Sequence, residues 1–209
     1  RSPESGPSGA AGWGAAVADS RAAPWHHRPV SLASLAQRTR FSRQELQLMY
    51  RGFKNDCPSG LVHRAAFREI FSQFFPLGDA SAYADLVFDS FDPGGRGCLT
   101  FEIVIQGLSV ICKGSSEEKL DWAFRLYDTD RDGFISKREM VQLVSAIYDM
   151  LGDSVWPRVH PCDAQLHAEK IFDAMDRDGD GAVTFQEFVL ACRRDRDLDT
   201  ELDCFDTLL

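Results

Sequence analysis

Two twelve-residue stretches decide the fold of this 209-residue chain: Asp128-Thr-Asp-Arg-Asp-Gly-Phe-Ile-Ser-Lys-Arg-Glu139 and Asp176-Arg-Asp-Gly-Asp-Gly-Ala-Val-Thr-Phe-Gln-Glu187. Both follow the pattern D-x-D-x-D-G-x-x-x-x-x-E in full. Apolar residues recur at helical spacing before and after each stretch. One such loop could be an acidic turn that arose by chance, but two complete loops between amphipathic helices leave little room for that interpretation.

This spacing supplies the oxygen ligands that a large, hard cation requires. Calcium (Ca²⁺) takes about six to eight oxygens, from the Asp side chains at positions 1, 3 and 5, the carbonyl at position 7, position 9 and both oxygens of the final Glu. The sequence therefore predicts two calcium ions per chain, with magnesium (Mg²⁺) as a competitor. The expected ligands are Asp128, Asp130, Asp132, Phe134, Ser136 and Glu139 in one loop, and Asp176, Asp178, Asp180, Ala182, Thr184 and Glu187 in the other.

The same unit, a helix followed by a glycine-centred loop and a second helix, occurs four times. A repeat of this length predicts supersecondary units that bury their faces against one another. The first two loops have lost ligands and are predicted to hold no ion: the loop that starts at Asn55 has no acidic residue at position 3, 5 or 12. The loop that starts at Asp92 carries Arg96 at position 5 and Ile103 at position 12.

The predicted fold is all-α, with four helix–loop–helix units in two pairs and a short two-stranded pairing between the loops of each pair. In the second pair, β-branched Ile135 and Val183 at position 8 suit this pairing. Residues 41–110 are predicted to form the first pair, and residues 111–209 the second pair with a terminal helix. Residues 1–40 are predicted to be a disordered tail, since Ala, Gly, Ser and Pro make up 18 of the first 24 residues.

Charge and composition exclude several classes of function. The net charge is −9, and residues 117–209 carry 22 acidic against 11 basic residues, which disfavours general nucleic-acid binding. No apolar run reaches about eighteen residues, so no membrane span is predicted. The six cysteines are scattered without a CxxC pair, which is typical of reduced thiols in an intracellular protein. No catalytic triad, P-loop or nucleotide fingerprint occurs, so the chain is not predicted to be an enzyme.

Residues 26–209, most of the chain, resemble a known family. Tyr50-Arg-Gly-Phe-Lys-Asn55 with Cys57-Pro-Ser-Gly60 resembles the first, ion-free hand of the neuronal calcium sensors, a branch of the EF-hand proteins. Phe74-Phe-Pro-Leu-Gly-Asp79 resembles the linker to their second hand. His27-Arg-Pro29 and Ala146-Ile-Tyr-Asp-Met150 resemble the voltage-gated potassium channel-interacting proteins, or calsenilin group.

The resemblance implies four EF-hands and a calcium-sensing auxiliary subunit of voltage-gated A-type (Shal-type) potassium channels. Such a subunit binds the channel's cytoplasmic N-terminal helix in a hydrophobic groove and modulates trafficking and gating. It is cytoplasmic and peripheral at the plasma membrane through the channel, and its oligomeric state stays open. The groove is expected to include apolar side chains from several helices, namely Phe71, Phe74, Phe75, Phe88, Phe101, Leu108, Leu202 and Phe205.

Two alternatives stay open. A calcium-regulated DNA-binding repressor of calsenilin type, acting in the nucleus, would need local basic surface that a net charge of −9 hardly offers. A simple calcium buffer would need only the two complete loops and would leave the apolar helix faces without a partner. The terminal stripe that includes Leu202 and Phe205 either packs against the last unit or covers the groove until a channel helix displaces it.

Overall fold

A computed structural model of the chain describes residues 31–152 and 161–195. Each three-residue strand follows a pair of helices along these residues, and the described part is mostly helical. The elements in chain order are α1 (Leu32–Arg38), α2 (Arg43–Asp56), β1 (Leu61–His63), α3 (Arg64–Phe74), α4 (Ser81–Phe91), β2 (Cys98–Thr100), α5 (Phe101–Lys113), α6 (Ser116–Tyr127), β3 (Phe134–Ser136), α7 (Lys137–Leu151), α8 (Pro161–Met175), β4 (Ala182–Thr184) and α9 (Phe185–Asp195).

Local sequence fixes the starts of three of these helices. In each, a serine before the first turn accepts a hydrogen bond from the backbone of a glutamate three residues on, and that glutamate accepts one from the backbone of the serine. Two otherwise unsatisfied N–H groups are thereby paired at each helix start. The pairs are Ser42 with Glu45 in α2, Ser115 with Glu118 in α6, and Ser136 with Glu139 in α7.

Two antiparallel strand pairs join the helices into four helix–strand–helix units. Strand β1 pairs with β2, and β3 pairs with β4. Ile135 lies opposite Val183, and both side chains are fully buried. The predicted pairing between the position 8 residues of the second pair is therefore confirmed. Val62 and Leu99 form the corresponding buried pair between the first two loops.

The core runs through both pairs of units. Its largest fully buried side chains include Phe88 on α4, Phe172 on α8 and Phe188 on α9. Helix α4 of the first pair contacts α7 of the second, so the two pairs share one continuous apolar interior. Within the described ranges, none of the helices combines the length and apolar character that a membrane crossing would need.

The boundaries of the predicted segments need two corrections. Residues 32–38, inside the predicted disordered tail, form α1, because Leu35 is fully buried and Ser31 caps the first turn. Helix α5 continues to Lys113, so the predicted boundary between residues 110 and 111 falls inside a helix. The remainder of the predicted tail, residues 1–30, and the predicted terminal helix lie outside the described residues.

Reciprocal contacts fasten the start of α2 to the junction between α5 and α6. Lys113 Nζ donates to Glu45 Oε1 at 2.8 Å and lies 4.6 Å from the ring centre of Phe41. The hydrogen bond from Lys113, with those from Ser42, lowers the pKa of Glu45 to about 2. In the opposite direction, Arg40 Nη2 donates to Glu118 Oε2 at 2.7 Å. Two glutamates that cap helix starts thus also bind basic residues of the facing segment.

Replacing Leu35 with alanine tests the role of α1. We expect the Leu35→Ala variant to lose about 2–5 kcal/mol of unfolding free energy, because it leaves a cavity at a fully buried site. Urea denaturation followed by circular dichroism measures this loss. The control is Leu48→Ala on α2, whose side chain is 72% exposed and which we expect to change stability by less than about 0.5 kcal/mol. Equal stabilities of the two variants would contradict the packing of α1.

Candidate metal centre

Each complete loop begins where a helix ends and closes at the start of the next helix. Asp128 follows the last residue of α6, and its N–H donates to Phe124 O at 2.9 Å. Gly133, at position 6, has a φ of 89°, in the region where residues with a Cβ are strained. Glu139 at position 12 lies in the first turn of α7. The helix end, the left-handed turn and the helix start together bring positions 1 and 12 close to each other.

The third loop gathers three carboxylates at one point. One carboxylate oxygen from each of Asp128, Asp130 and Glu139 lies within 4.8 Å of the others. Asp128 and Glu139 are buried, whereas Asp130 is exposed to solvent. The site is therefore open on one side and closed by the helices on the other.

The fourth loop repeats this arrangement with greater exposure. Oxygens of Asp176, Asp178 and Glu187 lie within 4.8 Å of one another. Asp176 and Glu187 are half-buried here, although the equivalent residues of the third loop are buried. Among the residues that the structure describes, these two groups are the acidic clusters that could hold a metal ion.

Backbone and hydroxyl donors hold Glu139 in place. Oε1 accepts from Thr129 N and Thr129 Oγ1, both at 2.9 Å, and from Asp130 N at 3.3 Å. Oε2 accepts from Ser136 N at 2.9 Å and from Ser136 Oγ at 2.7 Å. Burial alone would raise the pKa of Glu139, but the hydrogen bonds from Ser136, Thr129 and Asp130 outweigh it and lower the pKa.

Burial and neighbouring negative charges both act on Asp128. Burial raises the pKa of this carboxyl, as do the charges of Glu139 and Asp132, although hydrogen bonds from Gly133 and Arg131 oppose the shift. Placing a cation among these carboxylates would offset the repulsion among them. The pKa of Asp128 is thus raised mainly by burial, whereas hydrogen bonds lower that of Glu139.

Glu187 of the fourth loop is held by similar donors. Its Oε2 accepts from Thr184 N at 2.9 Å and from Thr184 Oγ1 at 2.8 Å, and its Oε1 accepts from Arg177 N at 3.0 Å. These hydrogen bonds, led by the one from the backbone of Thr184, lower the pKa of Glu187. Both position 12 glutamates are therefore oriented within their loops by hydrogen bonds that favour the carboxylate form.

The predicted ligands at positions 5, 7 and 9 are placed differently from those at positions 1, 3 and 12. Asp132 Oδ1 accepts from Phe134 N at 2.8 Å, and Asp180 Oδ1 accepts from Ala182 N at 2.9 Å, so both position 5 carboxylates bond the backbone of position 7. The hydroxyls of Ser136 and Thr184 at position 9 bond the glutamates. The structure thus gathers positions 1, 3 and 12 in one cluster and keeps the others in the loop around it.

An all-oxygen set of carboxylates, a carbonyl and a hydroxyl fits a hard divalent cation such as calcium. Sulfur and imidazole do not take part in either acidic cluster. Calcium in these loops would supply a positive charge to carboxylates that otherwise rely on N–H and O–H donors. Thr129 at position 2 donates two of the hydrogen bonds to Glu139, a role that was not predicted from the sequence. The hydroxyl of Thr129 was the feature of the sequence that could have indicated a hydrogen bond to Glu139.

The second loop keeps the loop shape without the acidic cluster. Asp92 Oδ2 accepts from Gly97 N at 2.7 Å, as Asp128 does from Gly133 in the third loop. Arg96 is exposed at position 5, where the complete loops have Asp. A single buried aspartate therefore supports the turn, and the absence of an ion from the first two loops stays a prediction.

The residues expected to line a partner groove fall into three groups. Phe74 is 52% exposed, and Phe71, Phe75 and Leu108 are half-buried. Phe88 and Phe101 are core residues at 0% and 3% exposure, so their assignment to an open groove is wrong for this structure. Helix packing covers them, with Phe88 against Phe67 and Phe101 against Tyr50 and Phe53. The last two expected residues, Leu202 and Phe205, lie outside the described residues.

Comparison with known families agrees with this geometry. Residues 117–193 match the family model of an EF-hand domain pair. This range contains both complete loops and points to the EF-hand calcium-binding family.

Calcium stoichiometry tests the two sites separately. We expect calorimetry to give two calcium ions per chain, with Kd values of about 10⁻⁷–10⁻⁵ M. The Glu139→Gln and Glu187→Gln variants are each expected to lose one ion from this range, because an amide cannot supply two charged oxygens. The control is Glu117→Gln, which removes the same charge from an exposed position outside both loops. A third ion, or two ions retained in the Glu139→Gln, Glu187→Gln double variant, would contradict the assignment.

Proposed function

We propose that this chain is a calcium-sensing regulatory subunit of a voltage-gated A-type (Shal-type) potassium channel and binds the channel's cytoplasmic N-terminal helix. The observation that carries the proposal is the combination, in one folded unit, of two three-carboxylate loops and an apolar surface at the C-terminal end of α3, where Phe74 and Leu77 are exposed. The carboxylate loops would bind calcium, and the apolar surface would bind a partner. The channel itself is inferred from the resemblance of His27-Arg-Pro29 and Ala146-Ile-Tyr-Asp-Met150 to the channel-interacting group.

The architecture supports a fold of four EF-hands. Four helix–strand–helix units lie in two strand-paired groups, and the first two have the same order of elements as the 117–193 pair. We infer that the first two units are EF-hands whose ligands have been replaced. Under this proposal the second pair binds calcium and the first pair serves mainly to bind the partner.

The proposed docking surface lies at the C-terminal end of α3. The rings of Phe71 and Phe75 are stacked with centroids 6.2 Å apart, and Phe71 also lies 6.1 Å from the ring of Tyr83. Next to this aromatic row, Phe74 is 52% exposed and Leu77 is 62% exposed. An amphipathic helix could bury these side chains with its apolar face, which is how helix-in-groove recognition works.

The two alternative functions account for fewer of these features. A calcium buffer leaves the apolar surface at the end of α3 unexplained. A DNA-binding repressor needs a basic surface, whereas the chain has a net charge of −9. We further propose that the protein is cytoplasmic, is not an enzyme and reaches the plasma membrane through the channel.

Titration with a synthetic peptide of the channel's N-terminal helix tests the proposal. We expect a Kd of about 1 μM or tighter in calorimetry, with an affinity that changes when calcium is removed. The Phe74→Asp variant is expected to bind at least about tenfold more weakly, because a central aromatic contact is replaced by a charge. The matched control is Leu48→Asp on α2, which is expected to bind within about twofold of the wild type.

The other outcomes separate the alternatives. Peptide binding that is equal in the Phe74→Asp and Leu48→Asp variants would contradict the proposed surface. No peptide binding together with salt-sensitive binding of DNA would favour the repressor. Calcium binding with neither partner would leave a buffer.

A further inference from the structure

Helix α4 of the first pair is held at its N-terminal end by α7. Asp79 N donates to Asp149 O at 2.8 Å, which joins the residues before α4 to the last turn of α7. The two backbones also touch: a Cβ added to Gly78 would lie 2.2 Å from Met150 O, and one added to Gly152 would lie 2.3 Å from Leu77 O. Only glycine fits at both positions without movement of the backbone, so this contact is close and leaves little freedom.

The C-terminal end of α4 is held by the third loop. Arg131 Nη1 donates to Pro93 O at 2.6 Å, and Arg131 Nη2 donates to Asp89 O at 3.0 Å. Asp89 lies in the last turn of α4 and Pro93 follows the helix, so the guanidinium lies near the C-terminal end of α4, where the helix dipole is negative and a cation is favoured. The unit that contains the third loop therefore holds α4 at both of its ends.

Arg131 occupies position 4 of its loop, between two of the expected ligands. Its φ of 62° is in the left-handed region, which disfavours residues with a Cβ. The equivalent residue of the fourth loop is Gly179, with a φ of 72°. The third loop thus has an arginine at a position whose backbone suits glycine, and the side chain of this arginine bonds the neighbouring unit.

We propose that Arg131 is a positioning residue that couples calcium occupancy of the third loop to helix α4 and to the ion-free second loop. The inference rests on the calcium binding proposed above for the loop that begins at Asp128. An ion draws Asp130 and Asp132 toward one point and thereby fixes the backbone of Arg131 between them. Its guanidinium then holds the carbonyls of Asp89 and Pro93 more persistently. The second loop, which has Arg96 and Ile103 in place of two acidic ligands, would respond to the ion of its neighbour.

Three amides report on this end of α4. Asp92 N donates to Phe88 O, Gly95 N donates to Asp92 O, and Gly97 N donates to the Asp92 carboxylate. Hydrogen exchange of these amides, measured by NMR on the full chain with and without calcium, gives the opening rate of the second loop. We expect calcium to slow their exchange by about threefold or more in the wild type, since bonds to charged donors exceed ordinary ones in strength.

The Arg131→Gly variant removes the side chain and keeps a residue suited to the positive φ. We expect the calcium effect on the three amides to disappear in this variant while the amides of Asp132 and Gly133 still respond to calcium. The matched control is Arg177→Gly, which removes one positive charge from the fourth loop and is expected to keep the full effect. The Arg131→Lys variant keeps the charge but lacks a guanidinium that donates from two nitrogens. It is expected to lose most of the calcium effect on the three amides.

Each remaining outcome overturns the proposal. An unchanged calcium effect in Arg131→Gly, or a full effect in Arg131→Lys, would show that the guanidinium bonds do not transmit the signal. If the third-loop amides of Asp132 and Gly133 respond to calcium in the wild type and the three amides of the second loop do not, the coupling fails while the calcium site stands. If the third-loop amides of Asp132 and Gly133 do not respond to calcium, the proposed calcium site fails along with the coupling.

Discussion

Pairing between loops is the constraint on which the other parts of this structure depend. Each strand has only three residues, and in the second pair the register is set by Ile135 opposite Val183, both fully buried. A slip of one residue would turn Ile135 out of the core. It would also displace Glu139, since α7 begins directly after β3. The positions of the carboxylates are thus fixed by apolar packing behind the loops rather than by the charges themselves.

Glu139 combines two tasks that are usually separate. It caps the first turn of α7 through Ser136, and it belongs to the cluster with Asp128 and Asp130. The N–H and O–H donors around its two oxygens stabilise the carboxylate in the position that a cation would need. Hydrogen bonds that hold Glu139 in this position would reduce the ordering entropy that cation binding costs at this side chain.

The loops and the strand pairing could be predicted from sequence because their chemistry depends on fixed spacing along the chain. Helix α1 could not be predicted, since a seven-residue helix with Leu35 as its one buried residue leaves too short a pattern to detect. The apolar stripes revealed which helix faces are apolar but not which are covered, and Phe88 was misplaced for this reason. The contact of Arg131 with Asp89 spans 42 residues and leaves no local signature.

Salt is expected to screen the charges of the two loops unequally. At an ionic strength of about 0.15 M, charges that face solvent are screened beyond about 8 Å, whereas buried charges are screened much less. Asp128 and Glu139 of the third loop are buried, but Asp176 and Glu187 of the fourth are half-buried. Mobile counter-ions therefore reduce the attraction for a divalent cation more strongly in the fourth loop. If both loops bind a divalent cation, rising ionic strength is expected to favour the third loop over the fourth.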